Sequence, residues 1–289
     1  MEVREYANAI KLHEPFIRPA KTSHQHKLLI TLLDYFNEES NRQHTIPRDI
    51  GAQKKLLRAM LNVRQAKDVP DSILANLNSY LWCDRLEAQI VDCNEMPAML
   101  SHAGSEISIW RGDITRLNTD AIVNAANKEL QGCFTPLHMC IDNAIHSAAG
   151  IQVRSDCARI VALQNGTEGT GDAKITRAYN LPSRYILHTV GPIVQEDLQT
   201  HHRQLLASSY TSCLDVANEI ADIHSVAFCC ISTGVFGFPG DEAADIAIES
   251  VLTWLRQNNH HLRQIIFNVF TEQDHERYTR RLEERSGNV

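Results

Sequence analysis

The chain has 289 residues, of which 43% are apolar and 22% charged, and its 28 Lys and Arg against 35 Asp and Glu give a formal net charge of −7; this is the composition of a globular protein with one large or two modest domains. The acidic balance excludes a protein that lies along phosphate backbones, and no apolar run reaches the ~18 residues of a membrane span. The charged opening Met1-Glu2-Val3-Arg4-Glu5 lacks the apolar core of a secretion signal, so a cytoplasmic location is expected, where eight cysteines serve as buried thiols, metal ligands or reactive groups and form no disulfide framework.

The first hundred residues read as helical, with no strand pattern. In the stretch 27–37, Leu28, Leu29, Leu32, Leu33 and Phe36 recur at helical spacing. Ile50, Leu56, Leu57, Met60 and Leu61 repeat the pattern, and so does the stretch 73–91, opened by Pro70-Asp71-Ser72. After Cys93-Asn94-Glu95-Met96-Pro97 the texture changes. Short β-rich runs at 107–110, 121–124, 175–179, 185–190, 226–231 and 265–270 alternate with helical stretches at 141–149, 152–164, 202–220, 242–258 and 273–285. That alternation predicts a layered α/β domain with a mostly parallel sheet, in which ligands bind beyond the carboxyl ends of the strands. The expected division is a helical extension, 1–100, followed by the α/β domain, 101–289.

Four segments carry candidate chemistry. The first is Cys133-Phe134-Thr135-Pro136-Leu137-His138-Met139-Cys140, in which two thiols and an imidazole can converge on zinc and leave a fourth position open for water or substrate. Buried packing of the two cysteines accounts for the same spacing. Asp142, directly after it in a predicted first helical turn, can position a water or cap the helix; His146 reads as a packed histidine. The second is Ser232-Thr233-Gly234-Val235-Phe236-Gly237-Phe238-Pro239-Gly240, a strand-to-helix turn whose amides can cradle a phosphate and whose phenylalanines can flank a sugar or base; a plain tight turn is the competing reading. The third, Gly112-Asp113-Ile114-Thr115, and the fourth, Asn124-Ala125-Ala126-Asn127, end predicted strands with groups suited to an amine and to hydroxyls, although such residues are also ordinary turn formers.

These segments, together with Asp142-Asn143-Ala144-Ile145-His146-Ser147-Ala148-Ala149-Gly150 and His188-Thr189-Val190-Gly191-Pro192, occur in the order found in the macrodomain family, which recognises ADP-ribose, and the resemblance runs from about 105 to 283. Where most macrodomains carry a glycine run, this chain has the Cys133–Cys140 segment, and so it resembles the family's zinc-containing branch. Leu57-Arg58-Ala59-Met60-Leu61-Asn62-Val63-Arg64 resembles part of that branch's N-terminal extension.

The resemblance implies a three-layer α/β/α sandwich with a mixed, mostly parallel sheet. It implies Asp113 and Ile114 at the adenine with Phe270 beside it, and Ser232, Thr233, Gly234, Val235, Phe236 and Gly237 around the diphosphate. Asn127 and Asn143 would approach the distal ribose, Asp142 would be the catalytic or orienting carboxylate, and Cys133, His138 and Cys140 would hold one catalytic zinc. The implied activity is hydrolysis of mono-ADP-ribose from modified proteins at the distal ribose, through an Asp or Glu ester. A non-catalytic ADP-ribose reader and an O-acetyl-ADP-ribose deacetylase are the alternatives. The branch also implies a sirtuin-like transferase and a lipoylated carrier protein as partners, with no nucleic acid or membrane. The extension reads as a structural cap, the competing reading being a lid that shapes access of protein substrates.

Overall fold

The computed structural model describes residues 1–40 and 44–286. In chain order the elements are α1 (Val3–Tyr6), α2 (Gln25–Glu39), α3 (Ile50–Val63), α4 (Asp71–Glu87), β1 (Val91–Asp92), β2 (Leu100–His102), β3 (Ser105–Arg111), β4 (Leu117–Asn118), β5 (Ala121–Ala125), α5 (Ile141–Ala149), α6 (Ile151–Leu163), β6 (Ala173–Arg177), β7 (Tyr185–Thr189), α7 (Thr200–Glu219), β8 (Ser225–Phe228), α8 (Gly240–Gln257), β9 (Gln264–Val269) and α9 (Glu272–Ser286).

Seven strands form one sheet in the order β2-β3-β9-β8-β5-β7-β6. The central five, from β3 to β7, run parallel, and the edge strands β2 and β6 pair antiparallel. Every residue of β7, β8 and β9 is buried. Alternate residues face opposite sides of a sheet, so full burial means that helices cover both faces. The predicted α/β architecture is the one observed.

Two expectations for the first hundred residues need correcting. The helix expected over 73–91 stops at Glu87, and Val91–Asp92 instead pairs parallel with Leu117–Asn118. A strand also lies at Leu100–His102. Both strands are too short for a two-residue periodicity to register.

The core divides unevenly. Leu29, Leu32, Leu33, Phe36, Leu57, Met60, Leu61, Leu77, Tyr80 and Leu81 form a cluster of their own within α2–α4. Val3, Tyr6, Ile10 and Leu12 belong instead to the main core beneath the sheet, where the Tyr6 hydroxyl accepts from the Ile175 amide at 2.9 Å. The chain thus starts in the sheet domain, leaves it for three helices, and returns. Among the described residues no helix is long and apolar enough to cross a membrane.

Candidate active site

Because the five central strands are parallel, the loops after β3, β5, β7, β8 and β9 all leave from one edge of the sheet. The four sequence segments with candidate chemistry sit at or just beyond these strand ends, Asn124 and Ala125 being the last residues of β5 itself. Their sequence along the edge follows strand order: Asp113 after β3, Phe270 after β9, the 232–237 turn after β8, and the 133–140 loop with Asp142 after β5. From β3 to β5 is three inter-strand steps, or about 14 Å, which suits an elongated ligand.

At the β3 end, Asp113 Oδ1 accepts from the Thr115 amide at 3.0 Å and the Thr115 hydroxyl at 2.7 Å. The second oxygen is 3.9 Å from the Arg85 guanidinium of α4, which also donates to the Thr115 hydroxyl at 2.6 Å. Ile114 is buried beside it. Phe270 is 74% exposed directly after β9, and β9 is tied to the β3 loop where Asn268 donates to the Gly112 carbonyl at 3.0 Å. A ring this exposed at a ligand edge is available for stacking.

The β8 turn is built from backbone. The Phe238 amide donates to the Ser232 carbonyl at 3.0 Å and Gly237 to the Gly234 carbonyl at 3.1 Å, while Val194 of the β7 loop donates to the Phe236 carbonyl at 2.8 Å. Gly237 has φ +70°, and a Cβ there would meet the Val194 carbonyl oxygen at 2.7 Å. Gly234 has nothing within 4 Å of the position a Cβ would take, so its backbone faces open space. Val235 is 73% exposed, Ser232 is buried and Thr233 half-buried. Phe238, expected to be able to flank a sugar, instead lies in the main core; Phe236 stays half-exposed at the turn.

The β5 loop brings the metal-type ligands together. The ligand atoms of Cys133, His138 and Cys140 all lie within 4.8 Å of one another, with Cys133 Sγ 3.5 Å from His138 Nδ1. Burial and the neighbouring Cys133 sulfur push the Cys140 thiol up. A bound cation reverses that cost, because it stabilises thiolates. The donor set, two sulfurs and an imidazole, suits zinc chemistry. The helix that follows is capped neither by Asp142 nor by Asn143, because Cys140 is the N-cap and its sulfur accepts from the Asn143 amide at 3.4 Å.

That leaves Asp142 free for other contacts. It is buried, and Asn124 of β5 donates to its Oδ1 at 2.8 Å. His146 Nε2 stands 3.5 Å away, one helical turn on. Burial raises the Asp142 carboxyl to about 6, against the opposing pull of the Asn124 bond and the Arg154 charge. Burial also drives His146 well below the ordinary histidine range, so it is neutral at pH 7.

The two asparagines expected at a ribose are engaged with the protein. Asn127 donates to the Gly132 carbonyl at 3.1 Å and accepts from the Glu129 amide at 3.1 Å, which shapes the turn entering the cysteine loop. Asn143 is fully buried. Its Oδ1 accepts from Arg58 of α3 at 2.8 Å and from Ser147 at 3.2 Å, and its amide donates to the Thr135 carbonyl at 3.2 Å.

A second histidine–cysteine group, His146, Cys157 and His188, is wholly buried. Cys157 lacks such neighbours in sequence and acquires them only through the fold. His188 is already committed, with Nδ1 against the Asn124 amide at 3.2 Å and Nε2 against the Thr176 hydroxyl at 2.9 Å. Burial lowers His188 to about 3 and raises the Cys157 thiol, so both stay neutral and the group packs.

Sequence reasoning overlooked Asn124 as the partner of Asp142, and also Arg58, Asn62 and Arg154. The available signals were a polar residue inside the apolar β5 run and two polar residues one turn apart, Arg58 and Asn62, in the otherwise apolar second half of α3.

Comparison with known proteins adds to this geometry. The Macro domain family model matches residues 123–247. A protein-ADP-ribose hydrolase of Treponema medium is 45% identical over 253 residues, covering 87% of this chain and 96% of that protein. A protein-ADP-ribose hydrolase of Staphylococcus aureus is 47% identical over 225 residues, covering 78% of this chain and 82% of that protein. The structure of a Trypanosoma brucei macrodomain in complex with ADP-ribose superposes with a TM-score of 0.58 at 26% identity, covering 92% of this chain and 99% of that one.

Proposed function

The chain belongs to the macrodomain family, and on that premise we propose that it is a protein-ADP-ribose hydrolase. It removes mono-ADP-ribose from modified proteins by cleaving the bond between the distal ribose and a carboxylate side chain. One zinc ion is held by Cys133, His138 and Cys140. The observation that carries this reading is the order of groups along one sheet edge. A carboxylate and an exposed ring (Asp113, Phe270) come first, then a turn of backbone amides at 232–237, then Asp142 beside the ligand cluster. That order matches adenosine, diphosphate and distal ribose laid end to end.

Asp113 accepts from the adenine amine, next to the Ile114 backbone, and Phe270 stacks on the base. The backbone of Ser232, Thr233, Gly234, Val235, Phe236 and Gly237 holds the diphosphate through amide dipoles. Gly234 admits the closest approach, since no side chain fills the space above it. Such binding, remote from the reacting bond, holds the ribose in position for cleavage. Asp142, fixed by Asn124, orients and deprotonates the attacking water, and a carboxyl raised to about 6 lies near the pKa suited to a general base at neutral pH. Asn127 and Asn143 shape the ribose end through the loop they hold. When bound, zinc supplies a Lewis acid for a ribose or ester oxygen. The catalytic residues all fall within 101–289, and Val3, Tyr6, Ile10 and Leu12 of the N-terminal segment complete the core of that unit.

Protein carrying mono-ADP-ribose on Asp or Glu, incubated with the chain, should release ADP-ribose, and Asp142→Ala should lose that release while still binding ADP-ribose. Tight binding with no release identifies a reader instead. Release from O-acetyl-ADP-ribose but not from protein identifies a metabolite deacetylase.

A further inference from the structure

We propose that α3 of the N-terminal extension is a working part of the metal and ribose site, with Asn62 and Arg58 as positioning residues for the 133–140 loop. The metal half of this inference rests on the zinc reading above.

The loop needs outside support. Among the described residues its own main chain supplies one internal hydrogen bond, from the His138 amide to the Thr135 carbonyl at 3.2 Å. Leu137, immediately before the histidine ligand, has φ +56°, a left-handed conformation that costs a non-glycine residue free energy unless its surroundings fix it. What fixes Leu137 comes from α3. Asn62 is buried, and its Oδ1 accepts from the Leu137 amide at 3.0 Å. The same side chain donates to the Ser147 hydroxyl of α5 at 3.0 Å. Ser147 passes the connection on to Asn143 Oδ1 at 3.2 Å.

Arg58, one turn earlier on the same face of α3, closes the circuit. Its guanidinium donates to Asn143 Oδ1 at 2.8 and 3.3 Å. Asn143 in turn donates from its side chain to Thr135 and from its backbone to Cys140 Sγ. Thr135, Leu137 and Cys140 are therefore each connected to α3, directly or through one residue. The end of α3 is itself fastened to the sheet domain. Arg154 of α6 donates to the Leu61 carbonyl at 2.8 Å and to the Arg64 carbonyl, satisfying carbonyls that the helix end leaves unpaired. It also donates to Gln131 at 2.7 Å and lies 4.5 Å over the Phe134 ring, at the start of the same loop.

A helix that served only as a cap would need apolar contact. Burying polar groups is unfavourable unless they find partners, and here the partners are Leu137, between the metal ligands, and Asn143 and Ser147 on the helix that follows the last of them. Residues that orient metal ligands from behind set metal affinity, and their loss typically costs about 10–100-fold.

The test uses the full chain as wild type, Asn62→Ala, Asn62→Asp and Arg58→Gln. Zinc affinity is measured against a chromophoric chelator, and amide hydrogen exchange is followed across residues 131–140 of the metal-free proteins. Asn62→Ala should bind zinc about 10–100-fold more weakly and exchange faster at this loop than elsewhere. Asn62→Asp keeps an acceptor for the Leu137 amide and should restore most of the protection. Arg58→Gln should move both readouts the same way as Asn62→Ala, and it decides the matter if Asn62→Ala does not fold. Zinc affinity within twofold of wild type, with unaltered loop exchange in the alanine and glutamine variants, overturns the proposal. Wild-type protein that takes up no zinc overturns the metal reading instead, and loop exchange then decides the positioning role alone.

Discussion

Asn124 grips Asp142: its side-chain amide donates to Asp142 Oδ1 at 2.8 Å and also faces His188 Nδ1 at 3.2 Å. An amide nitrogen only donates, so His188 Nδ1 accepts, and its protonated Nε2 faces the Thr176 hydroxyl at 2.9 Å. Thr176 on β6, His188 on β7 and Asn124 on β5 thus form a buried row that ends at the carboxylate. Asn124→Ala should lower turnover at least tenfold and cost about 1.5–3 kcal/mol of stability, because it strips a buried charged acceptor of its donor. Steady-state kinetics and urea unfolding measure both, and a variant with wild-type turnover would show that Asp142 does not depend on this grip.

The two glycines of the β8 turn should respond in opposite ways. Gly237→Ala meets a carbonyl oxygen at 2.7 Å in a left-handed conformation, so it should destabilise the protein by about 1–3 kcal/mol. Gly234→Ala meets nothing in the fold and should leave the melting temperature unchanged while weakening ADP-ribose binding, read by calorimetry. Undiminished binding in Gly234→Ala would remove the diphosphate from this turn.

Asp113 should matter for binding more than for chemistry, since it lies three strands from Asp142 along the sheet edge. Asp113→Ala should weaken ADP-ribose binding by roughly tenfold, the worth of one hydrogen bond to a charged group, and leave kcat at saturating substrate within about threefold of wild type. A collapse of kcat with unchanged affinity would contradict the assigned order of groups.

Metal removal should separate binding from turnover. Chelation of zinc-loaded protein should abolish most release of ADP-ribose from modified protein, and readdition of zinc should restore it. Affinity for free ADP-ribose should change much less, because the amide turn and Asp113 belong to other strands. Turnover that survives verified metal removal refutes a catalytic zinc.

Stability should depend on pH through Asp156, which lies outside the site. Burial raises its carboxyl to about 6, against the opposing Tyr179 hydrogen bond and Arg177 charge. Between about pH 4 and 6 the folded state keeps a proton that the unfolded chain has released. The stabilising contribution is therefore full below pH 4 and is lost as pH rises through 6. Asp156→Asn avoids the loss, so its advantage over wild type should grow from pH 4 to pH 7, by at most about 3 kcal/mol. Parallel stability curves for the two proteins in urea at pH 4, 5.5 and 7 would contradict this.

Most of the α/β half was legible in the sequence because its signals are local. The helix expected over 141–149 matches α5, Ile141–Ala149, and the strand runs for β3, β5 and β7 fall within a residue or two of those observed. What escaped was short or non-local. A two-residue strand such as β1 has no periodicity of its own, and it exists only because Leu117–Asn118 lies beside it. Phe238 belongs to the core while Phe236 stays half-exposed because the turn folds back at Gly237, which no spacing announces.

The division for the site follows the same physics. By itself the sequence determined which chemical groups are present and in what order: a carboxylate after one strand, a small-residue turn after another, and two thiols with an imidazole within eight residues. Those are local facts of spacing and residue type, and spacing left the thiols open to zinc or to plain burial. Only the tertiary structure decided which residues hold the others in place. Asn124 and Asp142 are 18 residues apart, and Arg58 and Asn143 are 85 apart. Contacts across such separations are decided by how strands and helices pack, because a hydrogen bond needs its donor and acceptor within about 3 Å and no local pattern in the chain encodes that meeting.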